Sequence, residues 1–169
     1  MKRFLGRLAA AALCAGALSG CGADDAEPTA PGDDTVVGKQ WQVVNLYTTP
    51  DAPSAIAKDT TQVPHMSFGE HTMVGSTGCV PFTADVSFRH DEKDSTIWDA
   101  DSMHVEDVTY EDAAGGPECT GSPQRVDFLL RNLIATGNDF TFEVNENNQL
   151  ILTLRTDAVD SPIIRLATL

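Results

Sequence analysis

The chain has 169 residues, 25 of them acidic and 11 basic, for a formal charge of −14 at neutral pH. Charge of that sign repels phosphate backbones and anionic lipid surfaces, which excludes nucleic acid as a partner and electrostatic adsorption as a route to a membrane. The length suits one hydrophobic core, and no repeat at a solenoid period divides it.

The first element is a short apolar run. Lys2, Arg3 and Arg7 precede Leu8–Leu18 and small residues follow, which is the three-part order of an export signal. The run is too short for a stable bilayer span. It ends in Leu18-Ser19-Gly20-Cys21, which resembles the lipobox of bacterial lipoproteins. The resemblance implies cleavage after residue 20 and a diacylglycerol on the Cys21 sulfur. The protein is then expected to be lipid-anchored at the extracytoplasmic face of the cell membrane, with membrane lipid as its first partner. Two acyl chains give durable attachment where one does not. Loss of residues 1–20 removes three basic residues and no acidic one, so the formal charge moves to −17.

Residues 22–35 (GADDAEPTAPGDDT) hold no large apolar side chain and cannot bury enough surface to order themselves. With Cys21 they form a lipidated, acidic linker, residues 21–35, whose reach is about 20 Å by random-coil scaling. Residues 36–169 are the expected single domain. Cys14 leaves with the signal and Cys21 carries lipid, so Cys79 and Cys119 are expected to pair in an oxidising compartment. Closing a loop of that length stabilises a domain by about 4 kcal/mol in the chain-entropy model.

Within the domain the dominant apolar period is two, the mark of strands with one face on a core. The predicted strands begin with Gln40–Tyr47, Val63–Phe68 and Thr72–Gly75. Phe82, Ala84, Val86 and Phe88 then alternate with Thr83, Asp85, Ser87 and Arg89. Ile97–Tyr110 reads as a strand with a break. One segment has helical period instead: Val126, Leu129, Leu130, Leu133 and Ile134 place a helix over Pro123–Thr136, with Ser122 as its N-cap and Gly137 as its C-terminal cap. Phe128 falls off that apolar stripe. Phe140, Phe142 and Val144, then Leu150, Leu152 and Leu154, form a hairpin around Asn145-Glu146-Asn147-Asn148. Ile163–Ala167 is the last strand. The expected fold is α+β, mostly β: an antiparallel sheet or open barrel with one amphipathic helix packed on it.

These residues together resemble the META domain of HslJ-like envelope proteins. The resemblance rests on Trp41 with Val43, Val44 and Leu46; on Met66 and Phe68; on Gly75-Ser76-Thr77-Gly78-Cys79 followed by Phe82; and on Glu118-Cys119 before a helix and a terminal hairpin. It covers roughly residues 38–155, with Val80, Ala84 and Val86 departing from the family pattern. It implies a fold, and envelope-associated or stress-linked roles without a stated reaction. Read for itself, the pair Gly75 and Gly78 suits a tight turn or a close backbone approach.

The chemical motifs are sparse. Gly75-Ser76-Thr77-Gly78 is not a nucleophile elbow, and the chain is expected not to be an enzyme and to carry no cofactor. Every methionine after the first lies within two residues of a histidine, and His71 with Met73 is the pair that two-residue strand spacing would align for Cu(I). Acidic residues cluster at Asp91-Glu92-Asp94, at Asp99 and Asp101, at Glu106-Asp107 and at Glu111-Asp112, a pattern of solvated faces. The expected function is a non-catalytic binding or structural lipoprotein whose partner is an envelope protein. The alternatives are an inhibitor of an external hydrolase, which makes an exported enzyme the partner, and a copper-binding protein.

Overall fold

The computed structural model describes residues 36–48, 53–56, 62–111 and 119–168. The export signal, Cys21 and the linker lie outside the described residues. In chain order the elements are β1 (Trp41–Tyr47), β2 (Pro53–Ala55), β3 (His65–Phe68), β4 (Thr72–Ser76), β5 (Pro81–His90), β6 (Lys93–Ser95), β7 (Ser102–Tyr110), α1 (Ser122–Leu133), β8 (Asp139–Val144), β9 (Gln149–Leu154) and β10 (Ile163–Ala167).

Eight of the strands close into an antiparallel barrel ordered β1-β3-β4-β5-β7-β8-β9-β10, and β10 returns to β1 through pairs from Gln42 with Ala167 to Tyr47 with Ile163. The expected mostly β architecture with one helix is therefore present, and its barrel is closed. Closure removes the unpaired backbone edges that an open sheet would present. β2 and β6 stand outside the ring as short strands on β1 and β5.

Alternation in the sequence becomes alternation in burial. Phe82, Ala84, Val86 and Phe88 of β5 are buried, and so are Phe140 and Phe142 of β8 and Leu150 and Leu152 of β9. An eight-stranded barrel is just wide enough for side chains to fill it. Here Trp41, Met66, Met73, Phe88, Met103 and Leu130 are among the largest fully buried side chains. Val36, fully buried, closes the start of the domain. Its carbonyl accepts the Trp41 indole N–H at 3.0 Å, so the core's largest residue buries its one polar group without leaving it unpaired.

Two expected elements need correction. The run Ile97–Tyr110 is a strand only from Ser102; Ile97 and Ala100 are buried from a turn, so they join the core without pairing in the sheet. The helix spans Ser122–Leu133, shifted from Pro123–Thr136. Gly121, at φ 69°, holds the cap position with no side-chain cap, which makes Ser122 the first helical residue instead of the cap. Pro123 follows inside the first turn, where its missing N–H loses no bond. At the other end, Asn138 Nδ2 donates to the Leu133 carbonyl at 2.8 Å. Gly137, at φ 88°, turns the chain into β8 beyond the helix and does not cap it.

Candidate functional site

The Gly75–Cys79 segment forms the end of β4 and the turn into β5, at the end of the barrel where α1 packs. The barrel there is crowded. A Cβ on Gly75 would overlap the His65 carbonyl and lie 2.9 Å from the Phe82 ring, so only glycine lets β3, β4 and Phe82 approach this closely. Gly78 adopts φ 90°, and a Cβ there would sit 3.0 Å from the Gln62 carbonyl. Trp41 and Phe82 are core residues, and Phe82 packs on Tyr110 with ring centroids 5.8 Å apart.

Thr77, which the sequence reading passed over, is fully buried and organises the turn. Its Oγ1 accepts the N–H groups of Cys79 and Val80, each at 3.2 Å, and donates to Asp127 Oδ1 of the helix at 2.5 Å. Asp127 also accepts from Arg131 Nε at 3.1 Å. The Arg131 guanidinium lies 4.5 Å from the centroid of the Tyr110 ring, and the Tyr110 hydroxyl donates to the Ile134 carbonyl at 2.6 Å. Burial pushes the Tyr110 phenol up to about 12; Arg131 opposes the shift and Asp127 adds to it. Cys79 and Cys119 form a disulfide with Cα atoms 5.5 Å apart. A covalent staple and a polar chain thus fasten the helix to the same turn, while Val126, Leu130 and Leu133 enter the core beneath it.

A different arrangement occupies the outer wall. The β5–β6 turn places Asp91 and Glu92 at φ 48° and 64°, the pattern of a type I′ turn made without glycine or asparagine. The Asp91 N–H donates to Asp101 Oδ2 at 3.1 Å, and His90 faces both carboxylates at 3.7 and 3.8 Å. This backbone hydrogen bond, helped by Ser102, His90 and Arg155 against a small burial penalty, holds the Asp101 carboxyl below its usual range. Asp91, Glu92, Asp101, Glu143 and Arg155 line a groove of about 570 Å³ that also takes in Thr153. The sequence showed the Asp91 and Asp101 clusters. It did not show that β8 and β9 bring Glu143 and Arg155 beside them, because those positions are distant along the chain.

The structure separates the two copper candidates. Met73 is fully buried in the barrel, whereas His71 is exposed in the turn before β4, so the core-facing thioether offers no ligand to that imidazole. Among the described residues no group of three or more His, Cys, Asp or Glu is placed to hold a metal ion. Ser87, His104 and Asp139 stand opposite one another on β5, β7 and β8, and His104 Nδ1 lies 2.9 Å from Asp139 Oδ1. Ser87 makes no hydrogen bond to His104, so this row lacks the link by which a base activates a hydroxyl. Among the described residues no helix is long and apolar enough to cross a membrane. Comparison with protein-family models, curated proteins and solved structures gives no match.

Proposed function

We propose that this chain is a lipid-anchored, non-catalytic binding module of the extracytoplasmic membrane face, which docks a cationic segment of an envelope protein. The observation that carries the reading is the groove of about 570 Å³ lined by four carboxylates and one arginine, on a domain of strongly negative charge. The barrel interior is packed with apolar side chains, which leaves recognition to the outer wall. A groove in which four carboxylates outnumber one arginine concentrates cationic groups and steers their approach. The META-like reading rests on the residues quoted for it in the sequence, and Cys21 would supply the anchor through the linker of residues 21–35.

The test measures binding of the mature protein to a cationic lysozyme, used as a basic protein probe, between about 0.01 and 1 M salt, over which the screening length falls from about 30 to 3 Å. Binding that weakens steeply with salt, and weakens again in Glu143→Gln with Asp101→Asn, supports the reading; no binding at the lowest salt refutes it. Lysozyme activity in the same samples tests the hydrolase-inhibitor alternative, which the acidic groove also favours: inhibition in step with occupancy supports it, and full activity at saturation rejects it. Mass spectrometry of protein from its host should find Cys21 diacylated, and an unmodified thiol there rejects the anchor.

A further inference from the structure

We propose that Thr77 is a positioning residue for disulfide formation: its hydroxyl clamps the Cys79 turn to the helix behind Cys119, so that the folded, reduced chain already holds the two thiols together. The staple closes a separation of 40 residues, a costly loop to find by random search.

Among the described residues, hydrogen bonds and packing join the Cys79 turn to the helix that follows Cys119, apart from the bond itself. On one side, Thr77 N–H donates to the Val80 carbonyl at 3.0 Å, and Thr77 Oγ1 accepts from Cys79 and Val80, which shapes the turn that presents Cys79. On the other, Asp127 receives the Thr77 hydroxyl at 2.5 Å from the same helix that Cys119 precedes. Arg131 holds the Asp127 carboxylate, and Val126 and Leu130 hold the helix in the core. None of these contacts needs the sulfurs to be joined. Cys79 and Cys119 are both only partly buried, so a small disulfide reagent can reach them.

The chemistry is two thiol–disulfide exchanges. One protein thiolate attacks a sulfur of a small-molecule disulfide such as oxidised glutathione and expels one glutathione thiolate. The second protein thiolate then attacks the protein sulfur of that mixed disulfide and expels the other. The protein loses two protons and two electrons, and the reagent is reduced to two thiols. A clamp acts by raising the effective concentration of the second thiolate at the mixed disulfide.

The experiment is a glutathione redox titration of the full chain carrying Cys14→Ala and Cys21→Ala, with circular dichroism of the reduced protein alongside. The reduced chain is expected to be folded. Thr77→Val should lower the effective concentration of the thiol pair at least about tenfold, the scale of the hydroxyl's three hydrogen bonds at the weak end of their range, and Thr77→Ser should stay within about threefold of the parent. Leu152→Ala, on β9, which pairs with β8 and β10 and with neither strand of the turn, should lower stability and leave the effective concentration unchanged, a separation that a merely stabilising role for Thr77 would not give. If Thr77→Val does not fold when reduced, Asp127→Ala against Asp127→Asn makes the same comparison from the helix side. A reduced parent chain that is unfolded overturns the proposal. So does a folded Thr77→Val, or a folded Asp127→Ala, with an unchanged effective concentration.

Discussion

Replacing Gly75 by alanine tests the reasoning about the barrel wall most directly. Two effects of opposite sign compete. Alanine restricts the unfolded chain, which stabilises by about 0.4–1 kcal/mol wherever the native backbone has room for a methyl group. At Gly75 there is none: the added carbon would overlap the His65 carbonyl oxygen and stand 2.9 Å from the Phe82 ring. Carbon and oxygen normally rest about 3.3 Å apart or more, so β3 must move away from β4 by about 1 Å, or Phe82 must leave its place in the core. Both partners are fixed. His65 is paired with Gln42 on one side and Ser76 on the other, and Phe82 is wedged against Tyr110. Overpacking of this kind costs about 1–3 kcal/mol, and the rigid neighbours put Gly75→Ala at the upper end, about 2 kcal/mol net after the unfolded-state gain. In a domain of this size that lowers Tm by about 7 °C. Gly137→Ala is the internal control, since its Cβ would meet nothing within 4 Å and only its φ of 88° opposes the change. Its cost should be near 1 kcal/mol. Urea denaturation of both variants measures the difference. A Gly75→Ala protein as stable as the parent, or more stable than Gly137→Ala, refutes the close-approach reading.

Three further outcomes are expected. Tyr110 has a folded pKa raised to about 12 from the ordinary 10, so the stability linked to it is whole below pH 10 and is lost as pH rises toward 12; because the ring is partly open to solvent, screening trims this to about 1 kcal/mol. Ultraviolet titration of Tyr47→Phe should show tyrosinate forming with a midpoint near 12, and a midpoint at 10 would contradict the buried site. Exchanging the β5–β6 turn residues by Asp91→Asn with Glu92→Gly should stabilise the protein by about 1 kcal/mol, since both positions have positive φ, while weakening capture of a basic probe; thermal melts and binding read the two effects separately. Leu130→Ala should cost about 2–5 kcal/mol, because the side chain is fully buried beneath the helix, and loss below 1 kcal/mol in denaturant would mean that the helix does not plug the core.

Much of the secondary structure was legible because burial on a sheet has period two and burial under a helix has period 3.6. Phe82, Ala84, Val86 and Phe88 announced β5, and Val126, Leu130 and Leu133 announced α1. Errors fell where local chemistry and tertiary geometry disagree. Ser122 has the composition of an N-cap, yet Gly121 holds that place, since the chain leaves Cys119 in a direction that needs a positive φ. Phe128 falls off the helix's apolar stripe and is 64% exposed, so its position, unlike its residue type, predicts its burial. β2 and β6 went unseen because three-residue strands carry too few alternations to register.

By themselves the residues determined most of the strand and helix content, the core faces and the two glycines of the Gly75–Cys79 turn, because each depends on neighbours in sequence, and the expected pairing of Cys79 with Cys119 is present. Tertiary structure alone decided that β10 closes on β1, that Thr77 reaches Asp127, that Met73 is buried while His71 stays exposed in the turn before β4, and that Glu143 and Arg155 join Asp91 and Asp101 in one groove. The physical reason is register. Which side chains meet across a barrel is set by how its strands slide and close, a cooperative result of packing the whole core that no local pattern encodes.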